Sequence, residues 1–112
     1  MEHRKIKTYF NLLKRSGKII FGNDAIQKYK KKAYLIIITN NFSDKINIIK
    51  KSVTLNCKLY ETDFKVLNDL LETNNCKVVL IKNYDLANAI IVENLKINLL
   101  REVIVFESTT KQ

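Results

Sequence analysis

Gly17-Lys-Ile-Ile-Phe-Gly22-Asn-Asp-Ala-Ile-Gln-Lys28-Tyr-Lys-Lys-Lys32-Ala-Tyr-Leu-Ile-Ile-Ile-Thr39 decides how this chain folds. It holds the only two glycines, a lysine cluster and the most apolar run of the sequence. The segment from Lys18 to Phe21, between the glycines, is short and strand-like. Asn23 and Asp24 can cap a helix, because their side-chain oxygens accept bonds from its first free N–H groups. That helix is expected to run to about Lys32. Leu35 to Ile38 is β-branched and does not alternate, which predicts a strand buried on both faces. Gly22 has no side chain, so a nucleic-acid backbone can approach it closely. Helix N-termini attract phosphate through free N–H groups and the positive dipole end. With lysines at 28, 30, 31 and 32, this stretch is the candidate RNA-binding face.

Regular elements extend from it in both directions. Ile6, Phe10 and Leu13 recur at helical spacing, widened by Tyr9 and Leu12, which predicts a helix over 4–15 that Gly17 ends. Beyond the strand at 34–39, Asn40, Asn41 and Ser43 form a turn and cap a third helix over about 44–54. Its buried stripe is read as Ile46, Ile49 and Val53. Lys58 to Glu61 reads as a strand. Thr62 or Asp63 caps a fourth helix with Phe64, Leu67, Leu70 and Leu71 inward. Lys77 to Lys82 is a second continuous apolar strand, and Asn83 and Asp85 open a fifth helix with Leu86, Ala89, Ile90 and Ile91 on or near its buried side. Residues 102–107 read as a final strand. Alternation of this kind packs as an α/β, three-layer α-β-α sandwich, with helices on both faces of a mixed sheet of about four strands.

The chain has 112 residues, enough for one domain around one core, and residues 1–112 are read as a single domain. With no proline and two glycines, long irregular loops are not expected. The formal charge of +9 is uneven. Met1 to Lys58 carries 14 Lys or Arg against 3 acids, and Leu59 to Gln112 carries 6 against 8. A basic half beside a mildly acidic one points to a polyanion partner. Met1-Glu-His-Arg-Lys is not followed by the apolar core of a signal peptide, and no apolar run is long enough to cross a membrane. The expected compartment is the cytoplasm, with Cys57 and Cys76 reduced and packed in apolar strand regions.

The order of elements and several local patterns resemble one family: the kink-turn RNA-binding ribosomal proteins of the archaeal L-seven-Ae and L-thirty-e type, with small bacterial YlxQ-like members. The resemblance spans roughly residues 5–95. It rests on Leu12-Leu-Lys-Arg-Ser-Gly-Lys18, on Gly22 opening a helix, on Ala33-Tyr-Leu-Ile-Ile-Ile-Thr39 as central strand, and on Val78-Val-Leu-Ile-Lys-Asn-Tyr-Asp-Leu-Ala-Asn-Ala-Ile90 as closing strand and helix. In that family the helix after the glycine binds RNA through a Gly-x-Asn-Glu-x-x-Lys pattern. Gly22 and Lys28 match it. Asp24 and Ala25 stand where the Asn and Glu would be. An ionised Asp offers only acceptors and an Ala neither kind of group, so base reading by an Asn–Glu pair is not available here. The family's second contact, the loop before the last strand, corresponds to about Leu71 to Cys76 and implies Asn74 and Asn75.

The candidate RNA-binding residues are therefore Lys18, Gly22, Asn23, Asp24, Lys28, Lys31, Lys32, Asn74 and Asn75. Lys18 and Lys28 are read as phosphate contacts flanking Gly22. Lys31 and Lys32 belong to a solvated face that adds nonspecific attraction, since each neutralised phosphate releases counterions. The tyrosines read as half-buried packing, with Tyr29 set apart because it lies inside the basic segment. His3, Cys57 and Cys76 cannot make a zinc site, no serine has a histidine partner other than terminal His3, and no cofactor or catalytic residue is expected. The sequence thus reads as a noncatalytic protein binding ribosomal or other structured RNA, with ribosomal proteins as further partners. The alternatives are a protein-interaction adaptor on the same fold, and a stand-alone substrate-binding domain of the RNA-methyltransferase type.

Overall fold

A strand with no polar face has to be covered on both sides, and the chain covers Leu35–Thr39 completely. In the computed structural model, which describes residues 3–104, all five of its residues are buried. The elements in chain order are α1 (Arg4–Ser16), β1 (Ile19–Phe21), α2 (Asn23–Lys28), β2 (Leu35–Thr39), α3 (Lys45–Leu55), β3 (Lys58–Thr62), α4 (Phe64–Leu71), β4 (Val78–Ile81), α5 (Tyr84–Ile97) and β5 (Arg101–Glu102). They form one mixed sheet in the order β1-β4-β2-β3-β5. β2 is central. It pairs antiparallel with the other wholly buried strand, β4, in the register Ile36↔Leu80, and parallel with β3 in the register Ile37↔Tyr60. β1 and β5 are antiparallel edges. The sheet thus has five strands, not about four, because the tail adds the short β5.

Alternation along the strands splits the interior into two cores. Leu35, Ile37, Val79 and Ile81 pack with Ile6, Phe10 and Leu13 of α1, with the leucines of α4, and with Ala87 and Ile90 of α5. Ile36, Ile38, Val78 and Leu80 pack on the other face with Ile26 of α2 and Ile48 of α3. Gly17 ends α1 in the left-handed conformation, φ +68°.

Several local expectations are corrected. α2 stops at Lys28, four residues short of Lys32. Ile26 is its only buried residue, and one more turn would place Lys30 on the same face. Tyr29 turns extended instead, and its hydroxyl donates to the Lys32 carbonyl at 2.8 Å. Asn23 and Asp24 lie inside the first turn; Gly22 is the capping position, with no side-chain cap. In α3 the buried pair is Ile48 and Ser52, while Ile46 is 66% exposed. A stripe chosen for apolar residues passes over a serine whose hydroxyl is satisfied by the Ile49 carbonyl, at 2.8 Å. Asp44 and Asp63 occupy the capping positions of α3 and α4 without side-chain cap bonds, whereas Asn83 caps α5 by accepting from the Leu86 N–H at 2.8 Å. The final strand begins at Arg101 and ends at Glu102; residues 105–107 of the expected strand lie outside the described residues.

Two polar devices fix the far side of the sheet. Buried Asn94 accepts from the Leu99 and Leu100 N–H groups and donates to the Leu100 carbonyl, closing the turn that leads from α5 into β5. Glu61 takes Lys45 of α3 at 2.6 Å and Arg101 of β5 at 3.5 Å. The Lys45 hydrogen bond, helped by both cations, holds its carboxyl below the usual carboxylate range.

Three outcomes are expected. Ile37→Ala should lower unfolding free energy by about 2–5 kcal/mol in chemical denaturation, the cost of a cavity in a close-packed core. Amide exchange should be slowest over 35–38 and 78–81, and fast exchange in either strand would contradict the central pairing. Because the Glu61 carboxyl is lowered on folding, its contribution is complete above the ordinary glutamate range and is lost as pH falls through the lowered value. Glu61→Gln should therefore destabilise at neutral pH and approach the parent in acid.

Candidate nucleic-acid interface

β1 is a three-residue edge strand, and its two flanks fall at opposite ends of the sheet. The Gly22 N–H donates to the Val78 carbonyl at 3.1 Å, beside the start of β4. The Lys18 carbonyl accepts from the Lys82 N–H at 2.9 Å, just past the end of β4. Four residue steps along the strand separate them by about 13 Å. Lys18 therefore does not flank Gly22, which corrects the expected pairing around one phosphate. Lys28 also ends away from the glycine, since α2 runs about 9 Å in its six residues. The next residue, Tyr29, lies under the Lys82 ammonium, 5.8 Å from ring centre to nitrogen. Lys18, Lys28, Lys31 and Lys32 thus gather towards the Lys82 end, and Gly22, Asn23 and Asp24 at the other.

At the Gly22 end the backbone adopts φ +91°, ψ 147°, which L side chains rarely take, and a Cβ there would meet nothing within 4 Å. The glycine is required by the turn, and the space in front of it is open. Asn23 has a structural task. Its amide donates to Asp44 Oδ2 at 2.8 Å and its oxygen accepts from Gln27 at 3.2 Å, tying α2 to the start of α3. Asp24 is exposed in the first turn.

Opposite Gly22 runs the connection between α4 and β4. Phe21, Gly22, Thr73, Asn75, Cys76 and Lys77 line an open cleft of about 290 Å³ between the two. Asn74, on the same connection, is exposed but is not part of the lining. Asn68 of α4 holds this connection in shape. Its oxygen accepts from the Cys76 N–H at 2.7 Å and the Thr73 hydroxyl at 2.9 Å, and its amide donates to the Cys76 and Phe64 carbonyls. Glu72 takes the left-handed cap conformation, φ +57°, where α4 ends. Lys14 of α1 donates to the Leu71 carbonyl at 2.6 Å.

The cleft offers an aromatic face, an amide, a hydroxyl and one ammonium, with no carboxylate in its lining. Phe21 is 41% exposed. Phe21, Thr73 and Lys77 are not among the residues that the sequence points to. The signal for Phe21 is its position: the last residue of an edge strand, before a glycine, has no neighbour to cover it. No family model matches this chain, and no curated protein does. The likeness to kink-turn binders thus stands on the residues quoted for it alone.

Among the described residues, no three His, Cys, Asp or Glu side chains gather as metal ligands, and no helix is long and apolar enough to cross a membrane. Both cysteines are free and partly buried. Cys57 precedes β3 near the start of β2, and Cys76 precedes β4 near its end, so a strand length separates them and a disulfide is out of reach. Burial pushes the Cys57 thiol up to about 11 and raises that of Cys76.

At about pH 8 both thiols are protonated and should react slowly with a bulky disulfide reagent in the native state. Asn68→Ala removes the bonds that hold Cys76, so it should speed labelling of Cys76 and leave Cys57 slow. Equal acceleration of both would mean a global loss of stability rather than a released connection.

Proposed function

We propose that the protein is a noncatalytic RNA-binding protein that docks structured RNA in the cleft beside Gly22. The observation that carries this reading is the cleft itself. It joins two segments about fifty residues apart in sequence, the Gly22 turn and the connection 72–77, which are the two contact segments implied by the resemblance. In this reading an unpaired base lies against Phe21, whose aromatic face accepts any base. The Asn75 amide and Thr73 hydroxyl meet polar base or sugar groups, and Lys77 meets a phosphate. Gly22 lets the backbone pass without a side chain in the way. The imbalance of +11 over Met1 to Lys58 adds long-range attraction. Recognition by a cleft at the end of a sheet reads the shape of an irregular RNA, where bases are splayed out, more than duplex sequence.

Sequencing RNA that crosslinks to and co-purifies with the tagged protein tests the function, and the absence of any enriched RNA would turn the reading towards a protein-binding adaptor. For an enriched RNA, Phe21→Ala should weaken binding by about 1–3 kcal/mol with an unchanged salt slope. Lys77→Glu should make the slope shallower by about 0.9 for each phosphate that is no longer neutralised. Gly22→Val is a poor probe, because φ +91° would strain any side chain.

A further inference from the structure

The opposite end of the sheet is built differently. Tyr34 leads into β2, with its N–H on the Ile81 carbonyl at 3.0 Å and its carbonyl taking the Lys58 N–H at 3.4 Å. Its ring meets Tyr84 edge-on, 5.5 Å between centres at 71°. Tyr84 opens α5 and is 60% exposed, in contrast to the half-buried role expected from sequence. Beside the pair is an open pocket of about 280 Å³ to which Asn56, Lys58 and Asn88 contribute polar groups. An exposed ring at a fixed angle, with two amides next to it, has the make-up of a site for a flat polar ligand.

The charge at this end of the sheet is mostly basic. Lys18, Lys28, Lys30, Lys31 and Lys32 form no ion pair among the described residues, and Lys82 sits over the Tyr29 ring. Glu102 is engaged by Lys58 at 3.6 Å. Asp85 follows Tyr84 in the first turn of α5, and no carboxylate lines the pocket. Flat polar rings joined by phosphates are what such a surface complements.

We propose that this end carries a second site, for single-stranded nucleic acid, in which one base stacks on Tyr84 and the neighbouring backbone phosphates follow the turn Lys28–Lys32. The ring is reachable only by a base that has left its stack, so a duplex engages the lysines alone. The site does not depend on the Gly22 cleft, which faces away from it.

The test is fluorescence anisotropy on the full chain with a labelled single strand of about ten nucleotides and a duplex of the same length. Tyr84→Ala should weaken single-strand binding by about 5- to 150-fold and leave duplex binding unchanged. Tyr84→Phe should bind like the parent, since the stacking face is kept. Lys31→Glu with Lys32→Glu should weaken both ligands, with a salt slope on the single strand shallower by about 0.7 for each phosphate that is no longer neutralised. Circular dichroism checks each fold, and Tyr84 is exposed enough to be replaced without opening the core. Single-strand binding unchanged in Tyr84→Ala would overturn the site, as would equal losses on single strand and duplex. Phe21→Ala separates the two readings. A loss with Tyr84→Ala but not with Phe21→Ala assigns single-strand binding to this site and leaves the cleft to its own test on structured RNA; the reverse removes this site.

Discussion

The pairing of β2 with β4 is the constraint on which everything else rests. Both strands are apolar on both faces, so neither can sit at an edge or face water. Their antiparallel register directs Leu35, Ile37, Val79 and Ile81 to one side and Ile36, Ile38, Val78 and Leu80 to the other. Two separate cores follow, and with them helices on both faces. α1, α4 and α5 serve one core and α2 and α3 the other. The short α2 is the weaker cover, with Ile26 alone reaching inward.

This arrangement also decides where connections from different parts of the chain come together. The faces of the sheet are occupied by helices, which leaves the two ends, where connections meet. One end brings the Gly22 turn against the connection 72–77, held by the four hydrogen bonds of Asn68. The other brings the lysine turn, Lys82 and the Tyr34–Tyr84 pair together. Gly22 and Lys18, close in sequence order, have their backbones at opposite ends of β1. β1 lies between Lys18 and Gly22, and its length alone parts them.

What the sequence made legible was whatever depends on local pattern. Unbroken Leu35–Ile38 and Val78–Ile81 announce central strands, and Ile6, Phe10 and Leu13 announce the buried stripe of α1. Asn83 ahead of α5 and Gly17 after α1 are local signals as well, and both act as their residue types suggest. The misses share a cause, which is that they depend on partners far away in the chain. Ser52 is inside because α3 meets the sheet along that line. Phe21 and Lys77 become neighbours only once β1 pairs with β4. Asn23 looks free in sequence and is committed to Asp44 in space.

The two borders of the sheet are very short, three residues in β1 and two in β5 among the described residues. An open strand is a template for another chain's backbone, and its capacity grows with its length. Here a visiting strand would find only a few unpaired backbone groups on either border, too few to hold it by main-chain bonding. The borders are thereby protected against sheet extension from one molecule to the next.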